Sequence, residues 1–217
     1  MAEHTLTNAP TRTLGTADLR RSPAGHLAAQ FAAAEVTGAH GVALREVPFL
    51  TMVGLRLAPG SDAAHRVEAR LGTPLPARCG EIGIGTGCSV LWLSPDEFLV
   101  VSAANPTEFT ARLVQALGSE PGSAVDLSAN RTTFELTGPA ARDVLEKGCP
   151  LDLHPRAFRV GAAYVTEIGP VPVILWKTGP ETYEIYPRAS FADYLGRWLL
   201  DAMAEFKAPE FRVLELI

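Results

Sequence analysis

The sequence predicts an α+β fold built from two packed split-βαβ, ferredoxin-like halves. Two features point there. Short runs with period-two alternation take turns with runs whose apolar residues recur every three to four positions. The order of these runs also repeats about 80 residues later, with similar punctuation by proline and glycine. At 217 residues and 47% hydrophobic content, roughly 70% of the unfolded surface can be buried, so the chain needs no disulfide or metal staple.

The expected organisation is a tail over 1–20, a helix and first α+β half over 21–118, a second half over 119–206, and a tail over 207–217. Ser22 and Pro23 have the character of an N-cap and first helical residue, and Leu27 and Phe31 share a face. The stretch Val47 to Leu57 reads as strand, with Val53, Leu55 and Leu57 on one side. A helix is predicted from Ser61 to Leu71 on the stripe Ala64, Val67 and Leu71. Ser94-Pro95-Asp96-Glu97 predicts a turn between strands Ser89–Ser94 and Phe98–Ser102, because proline presets φ at the second turn position. Asn105 with Glu108 predicts a capping box for a helix carrying Phe109, Leu113 and Leu117.

The second passage repeats this order. Thr132 to Leu136 reads as a strand. A helix after Gly138-Pro139 is expected to end at Gly148 as C-cap. Val173–Thr178 and Tyr183–Tyr186 form a hairpin about Gly179-Pro180. Ser190 and Asp193 then predict the cap of a last helix, with Phe191, Leu195, Trp198, Leu199, Ala202, Met203 and Phe206 on its apolar stripe.

Composition excludes several classes. A net charge of -5 gives no basic footprint for nucleic acid. No apolar run reaches the roughly 20 residues of a membrane span. Met1 to Arg21 lacks the apolar stretch of a signal peptide, which predicts a cytoplasmic chain. Cys79, Cys88 and Cys149 are an odd set without C-x-x-C spacing, which suits buried or idle thiols rather than a zinc site or disulfides. The five histidines lack metal-ligand spacing, and there is no G-x-S-x-G serine elbow. The glycines at 83, 85 and 87 run into a strand rather than opening a helix, so a nucleotide loop is not expected and a flexible connector is.

One cluster remains. Asp126, Ser128, Asn130 and Arg131 group a carboxylate, a hydroxyl, an amide and a guanidinium ahead of a strand. They could orient a ligand or partner, or satisfy loop amides, with Asp126 paired to Arg131. The short basic pairs Arg20-Arg21 and Arg156/Arg159 read as solvated.

Longer runs carry a resemblance. Arg21-Ser-Pro-Ala-Gly-His-Leu27, Leu44-Arg-Glu-Val-Pro-Phe-Leu-Thr-Met-Val-Gly54, Trp92-Leu-Ser-Pro-Asp-Glu-Phe98, Val125 through Pro155 and Pro187 through Met203 resemble gamma subunits of heterotetrameric sarcosine oxidase. The resemblance implies a fold related to the folate-binding domain of glycine-cleavage T-protein and its relatives. It also implies a non-catalytic chain in a complex with alpha, beta and delta subunits, alpha being the expected contact. That complex demethylates sarcosine oxidatively, giving glycine, hydrogen peroxide and formaldehyde or methylene-tetrahydrofolate. FAD, FMN, NAD and tetrahydrofolate are expected in the partner subunits and none in this chain.

Within the wider folate family, Asp126-Leu-Ser128, Gly138-Pro-Ala140, Asp152-Leu153 and Gly161 fit the pattern. The hairpin Gly169 to Trp176 departs from it: Val171 and Pro172 stand where acids are expected, and neither can move a proton. A free-standing folate-dependent one-carbon transferase is the competing enzyme reading. Lys147-Gly-Cys149 resembles the start of a motif in iron–sulfur maintenance proteins, but the sequence continues differently.

Overall fold

The computed structural model describes residues 19–207; the expected tails fall outside this range except for residues 19, 20 and 207. Ten strands form two five-stranded antiparallel sheets. Sheet one has the order β3(Ile82–Gly85), β4(Cys88–Ser94), β5(Glu97–Ser102), β2(Thr51–Leu57), β6(Gly122–Asp126). Sheet two has the order β1(Ala43–Val47), β7(Thr133–Thr137), β10(Thr182–Pro187), β9(Val171–Gly179), β8(Ala163–Ile168). Among the described residues there are five α-helices: α1(Ala28–Ala34), α2(Asp62–Leu71), α3(Pro106–Leu117), α4(Ala141–Glu146) and α5(Ala192–Met203).

The two halves share one topology. Each runs strand, helix, three strands, helix, and the sheet order places the first strand beside the last. The fifth strand has a different origin in each. β6 follows its own half, whereas β1 precedes β2 in the chain yet pairs with β7, Leu44 facing Leu136.

Alternation along the strands builds four layers. In β5, Phe98 and Val100 face α2 and α3, where they join Val67, Leu71 and Leu113. Their neighbours Leu99 and Val101 face the other way, into a core between the sheets with Met52, Leu91, Ile174 and Tyr186. In β9 and β10, Val173, Leu175, Tyr183 and Ile185 face α1, α4 and α5, packing with Phe31, Leu145, Leu195 and Leu199. Each fully buried side chain of this kind contributes about 1.5–3 kcal/mol. Strands buried on both faces read as continuous apolar runs, as Phe98-Leu-Val-Val101 does.

Several expectations hold in detail. Ser61 caps α2, its hydroxyl accepting from the Ala64 N–H at 3.1 Å, and Asn105 Oδ1 accepts from Glu108 N–H at 3.2 Å to cap α3. The hairpins at Pro95 and Pro180 are present.

Others are corrected. Ser22 does not cap a helix: its carbonyl closes a turn with Gly25, and a 3-10 turn over Gly25–Leu27 leads into α1. Gly148 is not a left-handed C-cap. α4 ends at Lys147, and Gly148 makes room for Trp198, whose Cζ2 would lie 2.5 Å from an added Cβ. Ser190 makes no cap, since a 3-10 turn over Ala189–Phe191 feeds α5 directly. Phe191 sits on that turn and is exposed rather than part of the stripe.

The glycine-rich stretch is not a flexible connector. It is edge strand β3, pressed against the end of α2. A Cβ at Gly85 would lie 2.2 Å from the Leu71 carbonyl oxygen, and one at Gly83 would lie 2.8 Å from that of Pro74. Glycine is required there for close backbone approach, not for mobility.

Candidate functional site

β6 delivers Asp126 to a tight turn between the sheets. Asp126 Oδ1 accepts from the Ser128 N–H at 2.9 Å and from its hydroxyl at 2.5 Å. Ser128 Oγ in turn accepts from the Met52 N–H at 3.1 Å. Asn130 contributes backbone only among these bonds: its N–H donates to Leu127 and its carbonyl accepts from Ala189. Arg131 donates from Nη1 to the Tyr186 carbonyl at 2.8 Å. Asp126 and Arg131 therefore engage different partners, and the expected ion pair between them is absent. The segment ties β2 to the junction of β10 and α5.

Ser128 and Arg131 also line a cavity of ≈ 220 Å³ together with Arg20, Arg21 and Phe49. The Arg20 guanidinium lies over the Phe49 ring, 4.6 Å from its centroid. Phe49 has φ 64°, a left-handed conformation that costs a non-glycine residue about 1–2 kcal/mol, and 47% of its surface remains exposed. Burial holds the Arg131 pKa below its ordinary value, and the neighbouring Arg188 charge adds to the effect. Arg20 and Arg21, expected to be merely solvated, thus stand beside two of the four residues singled out in the sequence. Phe49 carried no sequence signal.

A second polar group lies on the face of sheet two turned toward sheet one. Glu184 accepts a short hydrogen bond from the Tyr186 hydroxyl. Burial raises its pKa, and nearby Glu135 pushes the same way. Burial also raises the Tyr186 pKa strongly, reinforced by the Glu184 charge. Glu135 in turn pairs with Arg45 at 2.6 Å. Gly169–Trp176, where the resemblance implies an acid, carries none, while Glu184 lies opposite Trp176 on the next strand. The alternation Tyr183-Glu184-Ile185-Tyr186 was the available signal: it sends the carboxylate to the opposite face from two apolar neighbours. Val171 is buried on the helix side of the sheet, and Pro172 is exposed opposite Glu167.

Comparison with known proteins separates these readings. A profile of the sarcosine oxidase gamma subunit family matches residues 58–205. The chain is 51% identical over 198 residues to the sarcosine oxidase subunit gamma of Corynebacterium sp. (strain U-96), covering 91% of this chain and 96% of that one. This chain belongs to the sarcosine oxidase gamma subunit family. The subunit gamma of an Arthrobacter sp. is 48% identical over 210 residues, 96% of this chain and 98% of that one. Among solved structures, a chain of the heterotetrameric sarcosine oxidase from Corynebacterium sp. U-96, in complex with pyrrole 2-carboxylate, superposes with a TM-score of 0.85 at 52% identity. The match covers 88% of this chain and 98% of that one. The glycine cleavage system aminomethyltransferase T from Bartonella henselae gives a TM-score of 0.54 at 17% identity, over 73% of this chain and 45% of that one. That likeness is one of fold.

Met52, Leu91, Leu99, Val101, Ile174 and Tyr186 pack the space between the sheets, and the Glu184 carboxylate is taken by Tyr186. Burial pushes the Cys88 and Cys149 thiols up, which disfavours their reactive thiolates. Lys147, beside Cys149, pairs with Glu205 at 2.7 Å and lies 4.9 Å from the Phe206 ring centroid, so it fastens the end of α5. His26 pairs with Asp193 at 2.6 Å on the surface, and His65 is exposed. Among the described residues, no three His, Cys, Asp or Glu side chains are grouped to hold a metal, and no helix is long and apolar enough to cross a membrane.

Proposed function

We propose that this chain is the gamma subunit of a heterotetrameric sarcosine oxidase and serves there as a non-catalytic, structural partner. The supporting observation is the match along nearly the whole length of both chains to gamma subunits of that enzyme. The complex would oxidise the N–CH3 carbon of sarcosine and pass two electrons to oxygen. Sarcosine, water and O2 then give glycine, formaldehyde and hydrogen peroxide; with tetrahydrofolate the one-carbon unit leaves as methylene-tetrahydrofolate. FAD, FMN, NAD and tetrahydrofolate belong to the alpha, beta and delta subunits in this reading, with alpha the contact for this chain and the cytoplasm its location.

A structural role is consistent with the polar groups found. Glu184 is already hydrogen-bonded within the chain, and Asp126 and Ser128 satisfy backbone amides. A group spent on its own fold is poorly placed for proton transfer to a substrate. Co-expression of the four subunits, with and without this chain, tests the proposal. A stable complex that contains the chain and loses integrity or sarcosine turnover without it is the expected result. Equal assembly and equal turnover in its absence would remove the subunit role.

A further inference from the structure

We propose that the notch formed by Arg20, Arg21, Phe49 and Arg131 receives an acidic segment of a partner subunit, with one carboxylate side chain entering between the guanidinium groups. The inference rests on the subunit reading above and assigns part of the contact surface.

Charge is the first argument. The chain carries a net charge of -5, yet three guanidinium groups line a single cavity of ≈ 220 Å³. Elsewhere Arg45, Arg56, Arg66, Arg112, Arg142 and Arg197 each have a carboxylate within ion-pair distance, and the arginines without one, such as Arg70, Arg78, Arg156 and Arg159, are not gathered three to one cavity. Among the described residues no carboxylate pairs with Arg20, Arg21 or Arg131. The acids near the notch are engaged within the chain. Glu46 Oε1 accepts from the Ala24 N–H at 3.1 Å and from the Thr132 hydroxyl at 2.5 Å, and Asp126 is held by Ser128. Converging like charges repel, and an entering anion relieves that repulsion.

Geometry is the second argument. Arg131 is partly buried and anchored through Nη1 to a main-chain carbonyl, so its position is fixed before anything binds. That bond uses one of the five guanidinium donors, and the rest suit a carboxylate, which takes two parallel N–H bonds. Phe49 is the third argument. Its left-handed backbone keeps an aromatic ring at the lip of the notch, half-exposed and stacked under Arg20. Strain of this kind persists where the surrounding structure enforces it. The ring offers apolar surface to the stem of an Asp or Glu side chain and to its neighbours, which a free inorganic anion would not use. Aromatic residues and arginine are also the types enriched in the centres of protein interfaces.

The test uses the co-expressed oxidase. Arg20 and Arg21 are exposed, so the double variant Arg20→Glu/Arg21→Glu is expected to fold and melt as the wild-type chain does. Its association with the other subunits should weaken about tenfold or more and lose much of its salt dependence. Photo-crosslinking from p-benzoylphenylalanine in place of Phe49 should capture a partner peptide containing Asp or Glu.

A double variant that assembles at full stoichiometry with unchanged affinity overturns the proposal, as does a crosslink to residues 1–18 of this chain. Saturation of the notch by inorganic phosphate without any effect on assembly would make it a small-anion site and likewise overturn it. Should the wild-type chain fail to assemble at all, the subunit reading itself falls; assembly of wild type and double variant alike removes only this inference.

Discussion

Replacing Gly85 with alanine tests whether the glycine-rich stretch is a buttressed strand. The added Cβ would sit 2.2 Å from the Leu71 carbonyl oxygen and 3.0 Å from Cys88 Sγ, far inside the optimal separation of about 3.5 Å for non-bonded carbon. The Leu71 carbonyl cannot swing away freely, because it accepts from the Thr86 N–H at 2.9 Å and ends α2. Overpacking costs about 1–3 kcal/mol, and a clash with main chain belongs at the upper end. For a domain of this size each kcal/mol lowers Tm by about 2–4 °C, so about 3 kcal/mol gives a fall of about 6–12 °C. Gly87→Ala is the control: nothing lies within 4 Å of its added Cβ, and only the left-handed φ of 71° is penalised, by about 1–2 kcal/mol. Calorimetry of both variants should rank Gly85→Ala as the more damaging. A Gly85→Ala melting point within about 1 °C of wild type would refute the packing argument and restore a flexible connector.

Other consequences are open to simpler assays. Burial holds the Glu184 pKa above its ordinary value in the folded chain. As pH rises from about 4, the unfolded chain therefore loses this proton first and wild-type stability falls until the folded carboxyl also ionises. Glu184→Gln removes that loss, so its Tm advantage over wild type should grow across this window and then level off; a difference independent of pH contradicts it. Iodoacetamide at neutral pH should modify the exposed Cys79 and spare buried Cys88 and Cys149; labelling of all three in the native chain would show that the two cores open. Isothermal titration of the chain with tetrahydrofolate should give no saturable heat, and micromolar binding would revive the one-carbon transferase reading.

The parts of the fold legible in the sequence were those set by local chemistry. Ser61 and Asn105 announce helix starts because a side-chain oxygen bonds an N–H a few residues on, and Pro95 announces a turn because its ring fixes φ. The strands missed were of another kind. β3 is mostly glycine and isoleucine, and its identity as a strand comes from pairing with β4 and contact with α2. β1 pairs with β7 about 90 residues away, a choice no local pattern records. Ser190 and Gly148 misled for the same reason: both have cap chemistry, but Trp198 and the 3-10 turn before α5 decide their surroundings. At the site, the side chains of Asp126, Ser128 and Arg131 were visible as a group. Their separate partners, Met52 and Tyr186, and the neighbours Arg20 and Phe49 appear only once the chain is folded. Glu184 stands out only once β10 is paired with β9 and its hydrogen bond with Tyr186 is formed.

The account turns on this chain working as one subunit among several. Affinity purification of the tagged chain from cells expressing the candidate oxidase, followed by native mass spectrometry, measures that directly. A heterotetramer containing one copy of this chain and producing peroxide when given sarcosine is the predicted result. Recovery of the chain alone, with the oxidase activity remaining in the unbound fraction, would contradict it.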